Sequence, residues 1–209
     1  MSFYDRHILP RLLDLAMRNR EVARYRSQVV PQARGTVVEI GIGSGLNLPF
    51  YGNDVERLYG IDPSKELLRM ARKKARSTTF PVELLAHPAE ALPLANQCAD
   101  TVVTTFTLCT ILDPVKALQE MKRVLKPDGI LLFAEHGLAP DASVKRWQHR
   151  FNPIWNRIAG GCNLDRKIDE LIDAAGFCMA ELTNEYAKGP RPMSYIYSGR
   201  AAPPPAHAG

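Results

Sequence analysis

The chain has 209 residues, of which 45% are hydrophobic and 23% charged, and its formal net charge is +5. That size and composition predict one globular domain with a sizeable core. No apolar run reaches the roughly 20 residues that a membrane-spanning helix needs. The four cysteines lie far apart without a C-x-x-C pair, which favours neither a zinc site nor a disulfide framework. We therefore expect no metal and a reducing, cytoplasmic location.

The first 30 residues are rich in arginine. Their periodicity predicts helix over residues 3–28, interrupted at Pro10. The predicted buried face consists of Ile8, Leu12, Leu15 and Ala16. The positive charge favours a solvated helix face, and attraction to an anionic membrane surface is the alternative. No motif that reads nucleic acid accompanies the charge, so no nucleic-acid partner is expected.

Strands and helices alternate from Gly35 onward. Strands are predicted in the segments TVVEI, RLYGID, VELLAH, ADTVVTTFTL and ILLFAEH. Helices are predicted directly after the first strand, in PSKELLRMARKKA and in DPVKALQEMKRVLK. This rhythm predicts an α/β fold built on a parallel sheet.

The rhythm changes after His136. Residues 139–165 carry several aromatic side chains and are predicted to form an inserted cap. A helix in KIDELIDAAGF and two strands in CMAELTNEYA and MSYIYSGRA follow, joined by a loop long enough for an antiparallel pair. The composition of residues 201–209 predicts a disordered tail.

Gly41, Gly43 and Gly45 follow the first strand directly. Glycines at the carboxyl end of a parallel strand let a ligand approach the backbone, because no Cβ stands in the way. The spacing here is G-x-G-x-G, and Leu46 occupies the position that would complete the dinucleotide fingerprint. The spacing therefore counts against a nucleotide-dependent oxidoreductase.

Two carboxylates belong to the same predicted edge of the sheet. Asp62 ends the second strand about 20 residues after the first glycine, where an acidic residue can bind both hydroxyls of a ribose. It could equally cap the following helix. Glu39 lies inside an otherwise apolar strand and is costly to bury without a partner, which a cationic ligand could supply.

The segments EIGIGSG, GIDPSKELLRMARKKA, AEALPLANQCADTVV and EMKRVLKPDGILLFAEH, in this order, resemble the class I S-adenosylmethionine-dependent methyltransferases. The resemblance is to the branch of ubiquinone and menaquinone C-methyltransferases. It implies a doubly wound, Rossmann-like, mostly parallel seven-stranded sheet with a C-terminal antiparallel strand. It also implies a single domain over residues 1–200, with residues 1–30 as lid helices and S-adenosylmethionine as cofactor.

The same resemblance implies a set of cofactor contacts. Glu39 and the backbone of Gly41 and Gly43 would hold the methionyl part, and Asp62 the ribose. Pro63 would border the adenine, and Ala89 would meet its edge through the backbone. Many relatives carry an acidic residue just before that alanine, whereas this chain has Pro88, which leaves Glu90 as a substitute. Thr107 and Leu108 would lie beside the sulfonium methyl.

The segments TFTLCTI, AEHG, RWQHRFNPIWNRIAGGCNLDR and PMSYIYSGRA are similar to the human methyltransferase-like thiol S-methyltransferases. This similarity implies a small apolar acceptor, with a thiol as the best choice. N-methylation of a phospholipid amine, with peripheral membrane contact, is the alternative, and so is a protein that binds the cofactor without catalysis. The sequence gives no oligomeric state.

His136 is the candidate general base, because an imidazole can accept a proton near neutral pH; the alternative is a hydrogen bond within the cap. Glu135 would orient His136 or reach the cofactor. Cys109 and Cys162 are interpreted as packing residues. Candidate acceptor contacts, each with a purely structural alternative, are Trp147, Trp155, Asn163 and Arg166.

Overall fold

A seven-stranded sheet forms the centre of the computed structural model, which describes residues 9–205. In chain order the strands are β1 Gly35–Ile40, β2 Val55–Ile61, β3 Val82–Leu85, β4 Ala99–Thr105, β5 Leu125–His136, β6 Cys178–Tyr186 and β7 Tyr195–Ala202. Their order in the sheet is β3-β2-β1-β4-β5-β7-β6. Strands β1 to β5 pair in parallel, and β7 runs antiparallel to both of its neighbours. The predicted fold class is confirmed.

Helices cover both faces of this sheet. They are α1 Leu9–Ala16, α2 Arg20–Val29, α3 Lys65–Ala75, α4 Pro114–Val124, α5 Ala142–Ile158 and α6 Ile168–Ala174. Consecutive strand residues fall in different apolar clusters. Val38 and Val102 join α4 and α6, whereas Val37 and Val103 join α2 and α3. Alternate side chains of a strand point to opposite faces, so the two clusters are the two cores of a doubly covered sheet.

The N-terminal helices differ from the prediction. The break lies at residues 17–19, where Asn19 caps α2 by accepting a hydrogen bond from the Val22 amide at 2.9 Å. Pro10 instead lies in the first turn of α1, where a missing N–H costs little. The predicted buried face is wrong, since Leu12 and Leu15 are 50% and 68% exposed and Ala16 is exposed too. Residues 1–8, which include Ile8, lie outside the described residues.

Other predicted elements also differ from the structure. No α-helix follows the glycines, and the chain forms only a short 3₁₀ turn at Leu48–Phe50. The helix in DPVKALQEMKRVLK ends at Val124, and β5 begins at the next residue. Strand β7 reaches Ala202, because Ala201 is buried and pairs with both neighbouring strands. Only the end of the predicted tail remains untested, since residues 206–209 lie outside the described residues.

Residues 139–165 contain α5 and the loop that follows it. Pro153 lies inside α5 without ending the helix. Within residues 9–205, no helix combines the length and the apolar composition that crossing a bilayer requires.

Candidate active site

The glycine turn after β1 has a positive φ at Gly41, Gly43 and Gly45, at +69°, +54° and +76°. A Cβ at Gly41 would fall 2.2 Å from Thr107 Oγ1, and one at Gly45 would fall 3.2 Å from Ala71 Cα in α3. A Cβ at Gly43 would meet nothing nearer than a backbone oxygen at 3.8 Å. Two of the glycines therefore allow close packing, whereas Gly43 borders open space that a ligand can occupy.

Asp62 connects the glycine turn to the start of α3. Its Oδ2 accepts from the Gly43 amide at 3.0 Å, and its Oδ1 accepts from the Ser64 amide at 2.8 Å. Ser64, rather than Asp62, caps α3, through a 3.3 Å bond from the Leu67 amide. Burial raises the pKa of Asp62, although both amide donors lower it. The carboxylate thus ties the glycine turn after β1 to the end of β2.

Glu39 is a buried carboxyl in the middle of the sheet, and only 1% of it is exposed. Asn47 Nδ2 donates to Glu39 Oε1 at 2.9 Å, and the Tyr51 hydroxyl donates to Oε2 at 2.8 Å. Burial raises the pKa of Glu39 from its ordinary 4.5 to about 7, although both donors and the charge of Arg26 lower it. The carboxyl is oriented and poised to ionise when a cation approaches.

Glu135 braces the loop that follows β4. Thr104 Oγ1 donates to its Oε1 at 2.8 Å, and the Thr107 and Leu108 amides donate to its Oε2 at 2.8 and 3.1 Å. Phe106, at the start of this loop, has a φ of +53°, a conformation that needs such support. Burial raises the pKa of Glu135 to about 7. In this structure the carboxylate therefore positions the loop and makes no hydrogen bond to His136.

His136 and two cysteines form a cluster beyond this loop. His136 Nε2 lies 3.0 Å from Cys162 Sγ. The two cysteine sulfurs, of Cys109 and Cys162, and a ring nitrogen of His136 all lie within 4.8 Å of one another. The Cys109 hydrogen bond and the His136 imidazole lower the pKa of Cys162 against the effect of burial. Burial lowers the pKa of His136, but Cys162 and Glu135 outweigh it, so the net shift is upward.

These groups gather at the carboxyl ends of the parallel strands, which is where open α/β sheets bind their ligands. A family model described as a methyltransferase domain matches residues 38–133. A phosphatidylethanolamine N-methyltransferase of Cereibacter sphaeroides is 35% identical over 63% of this chain, which covers 67% of that protein. The chain belongs to the class I S-adenosylmethionine-dependent methyltransferases.

Other relatives of this methyltransferase carry different acceptors in their names. A thiol S-methyltransferase, TMT1B of Rattus norvegicus, is 34% identical over 70% of this chain, which spans 62% of that relative's length. A solved structure, a SAM-dependent methyltransferase from Aquifex aeolicus, superposes with a TM-score of 0.66 at 19% identity. That superposition covers 92% of this chain and 97% of the other. It shows the fold alone.

The remaining predicted cofactor residues of this methyltransferase lie at the same edge. Pro63 is exposed between Asp62 and Ser64, and Ala89 is buried in the loop after β3. Glu90, the predicted substitute for an adenine contact, accepts from the Asp113 amide at 3.3 Å. That bond joins the loop to the start of α4. Its role toward adenine stays a prediction.

Asn163 and Arg166, the two polar candidates for acceptor binding, contact the protein itself. The backbone amide and the Nδ2 of Asn163 both donate to the Cys109 carbonyl at 2.9 Å. Arg166 donates to the Leu108 carbonyl. Both residues hold the loop after β4 against the loop after α5. The structure therefore favours the structural alternative for Asn163 and Arg166 over a direct contact with the acceptor.

The aromatic candidates lie along α5. Ring centroids are 4.6 Å apart for Trp147 and Phe151 and 6.1 Å apart for Phe151 and Trp155. Trp147 is 43% exposed, so it is not ordinary core. The Trp155 indole N–H is buried without a hydrogen-bond partner among residues 9–205. An acceptor pocket on this side of the fold stays a prediction.

Sequence reasoning missed several residues that shape the site. Arg26 is 5% exposed, donates to the Met17 carbonyl at 2.7 Å, and has a buried Nε without a partner in the described part of the chain. Asp14 in α1 accepts from both Ser44 in the glycine turn and Arg18. These contacts depend on where α1 and α2 lie against the sheet, and no residue spacing signals them. Asn47 and Tyr51 were missed because an α-helix was expected there.

Proposed function

We propose that this protein catalyses methyl transfer from S-adenosylmethionine to a small thiol. The observation that carries the proposal is the 34% identity to a thiol S-methyltransferase over 70% of the chain. The site suits the cofactor. The open side of Gly43 leaves room for a ligand against the backbone, and the buried Glu39 carboxyl can pair with a cationic amino group.

The chemistry asks little of the protein beyond binding and alignment. When bound, S-adenosylmethionine supplies an electrophilic methyl group on a sulfonium. The thiol sulfur would form the new bond to the methyl carbon as the sulfonium–methyl bond breaks and S-adenosylhomocysteine leaves. The thiol would lose its proton, and His136 stays the predicted acceptor of that proton. Alignment of two reactants in one site can supply roughly 7–11 kcal/mol of the barrier. The loop braced by Glu135 would contribute to that alignment.

A phospholipid amine is the second candidate acceptor. It draws support from the 35% identity to a phosphatidylethanolamine N-methyltransferase and from α1, where Leu12 and Leu15 are exposed. Exposed leucines within the arginine-rich first 30 residues suit the surface of an anionic membrane. We propose a cytoplasmic protein, and peripheral membrane contact would accompany this second activity.

Methyl-labelled S-adenosylmethionine distinguishes the acceptors. The protein is incubated separately with small aryl thiols and with phosphatidylethanolamine vesicles, and label is counted in the volatile and lipid-extractable products. We expect label in the thiol product. Label in lipid alone would replace the thiol with the amine. Label in neither, while S-adenosylhomocysteine still binds, would indicate a protein that binds the cofactor without these activities.

The basic N-terminal helices provide a second test of the lipid alternative. Arg18→Glu and Arg20→Glu reverse charges next to α1, and Arg72→Glu reverses an exposed charge on α3 as the matched control. Loss of vesicle binding in Arg18→Glu and Arg20→Glu, but not in Arg72→Glu, would support the lipid activity. Loss of turnover without any change in vesicle binding would support a lid over the cofactor.

A further inference from the structure

Three soft ligand atoms converge beside the proposed active site. Cys109 Sγ, a ring nitrogen of His136 and Cys162 Sγ lie within 4.8 Å of one another, and both cysteines are buried. The ligand atoms of a tetrahedral zinc ion lie about 3.5–3.8 Å apart, given Zn–S and Zn–N distances of about 2.3 and 2.0 Å. The present separations therefore need only small side-chain adjustments to enclose an ion.

The backbone that carries these ligands is fixed from three directions. Glu135, adjacent to His136 on β5, accepts from the Leu108 amide next to Cys109. Asn163, adjacent to Cys162, donates twice to the Cys109 carbonyl. The Arg166 guanidinium donates to the Leu108 carbonyl. The two loops and the end of β5 are thus held together by hydrogen bonds at or next to each proposed ligand residue.

One polar group beside the cluster lacks a partner. The Trp155 indole N–H is buried without a hydrogen-bond acceptor among residues 9–205, and the indole is among the groups that lower the pKa of Cys162. A metal-bound thiolate accepts N–H donors far better than a neutral thiol does. Deprotonated Cys162 would therefore satisfy this indole.

We propose that Cys109, His136 and Cys162 bind one Zn²⁺ ion. Thiolate and imidazole ligands favour zinc over the oxygen-seeking Mg²⁺ and Ca²⁺. Two thiolates neutralise the charge of the ion, so no uncompensated charge is buried beside Arg166. Three protein ligands leave the fourth tetrahedral position to an exogenous ligand. The inference does not depend on methyl transfer: with an ion bound His136 is a ligand, and its predicted role as a base belongs to the metal-free protein.

Co²⁺ titration of the full-length protein, reduced with a phosphine that does not compete as a thiol, tests the site. We expect one Co²⁺ per chain, thiolate-to-cobalt charge-transfer bands in the near ultraviolet, tetrahedral d–d bands, and displacement of both by Zn²⁺. Cys109→Ala, Cys162→Ala and His136→Gln should each weaken Co²⁺ binding by roughly 100-fold or more. Removing even a residue that only hydrogen-bonds to a metal ligand costs about 10–100-fold in metal affinity. Cys178→Ala and His149→Gln, at exposed positions, are the matched controls and should bind normally.

Cysteine alkylation supports the titration if a variant does not fold. In the wild-type protein, added Zn²⁺ should protect Cys109 and Cys162 from alkylation and leave the exposed Cys178 reactive. Absence of the cobalt bands in folded, reduced protein overturns the proposal. It is also overturned if the Cys178 variant loses the bands, if His136→Gln retains them unchanged, or if Zn²⁺ protects neither buried thiol.

Discussion

Gly41 and Gly43 lie two positions apart in one turn, yet an added methyl group would meet different surroundings at each. At Gly41 it would collide with Thr107, whereas at Gly43 it would point into open space. Both residues have a positive φ, which costs a non-glycine residue about 1–2 kcal/mol. Packing within the fold therefore requires a glycine at Gly41, whereas at Gly43 the requirement comes from the predicted ligand.

Gly41→Ala should unfold at lower denaturant concentration than Gly43→Ala, because only the first adds a steric clash to the backbone strain. Gly43→Ala should keep most of its stability and lose cofactor affinity by at least about tenfold, since its methyl group occupies the space assigned to the ligand. Urea unfolding and calorimetric titration with S-adenosylhomocysteine measure the two effects. Unchanged affinity in Gly43→Ala would place the cofactor elsewhere.

Glu39 predicts a dependence of stability on pH. Its pKa is about 7 in the folded protein against an ordinary 4.5, so the folded state binds more protons between these two values. The free energy of unfolding should then decrease as pH rises from about 4.5 to about 7, by at most about 3 kcal/mol from this group. Glu39→Gln should lose that component of the slope. Parallel pH profiles for the wild-type protein and the variant would contradict the prediction.

The same carboxyl should make cofactor binding depend on pH. An ionised Glu39 is predicted to pair with the ammonium group of the cofactor, so the affinity of the wild-type protein for S-adenosylhomocysteine should increase between about pH 6 and pH 8. The affinity of Glu39→Gln should change much less over this range. Titration calorimetry at both pH values checks the difference, and an equal dependence in the two proteins would remove Glu39 from the cofactor site.

At the scale of elements, Gln148 connects α5 to the rest of the molecule. It is fully buried, its Oε1 accepts from the Ala139 amide at 2.9 Å, and its Nε2 donates to the carbonyls of Gly137, Leu164 and Pro192 at 2.9–3.0 Å. One side chain thus ties the helix to the end of β5, to the loop after α5, and to the turn before β7.

Gln148→Leu should destabilise the protein by about 2–4 kcal/mol, because it leaves several buried backbone groups without partners. Arg150→Leu, on the exposed side of the same helix, should stay within about 0.5 kcal/mol of the wild-type protein. Urea unfolding gives both values. An equal effect of the two substitutions would show that α5 is not held through Gln148.

The elements that sequence could predict are those with strong local signals. The segment PSKELLRMARKKA predicted α3, and the alternation of strand and helix segments predicted the parallel sheet. The N-terminal helices were harder, because Asp14 turns toward Ser44 in the glycine turn and leaves Leu12 and Leu15 exposed. Apolar periodicity does not reveal that a polar contact decides which face of a helix is buried.

At the scale of the molecule, the strand order brings the site together. Strands β1 and β4 are neighbours in the sheet although β2 and β3 lie between them in the chain, and ligands bind where strand order reverses in this way. Sequence spacing predicted that the carboxylates of Glu39 and Asp62 lie at that edge of the sheet. It gave no sign that Cys109 and Cys162 would meet, because their contact depends on a loop that returns after α5.

The most direct test of the account is the initial rate of methyl transfer from labelled S-adenosylmethionine to a small aryl thiol, measured for the wild-type protein, Asp62→Asn and Asp128→Asn. Asp62 holds the glycine turn and is predicted to bind the ribose, whereas Asp128 is an exposed carboxylate near the start of β5. We predict thiol methylation by the wild-type protein, an equal rate for Asp128→Asn, and at least about a tenfold lower kcat/KM for Asp62→Asn. Absence of thiol methylation by the wild-type protein, or an unchanged kcat/KM in Asp62→Asn, would contradict the account.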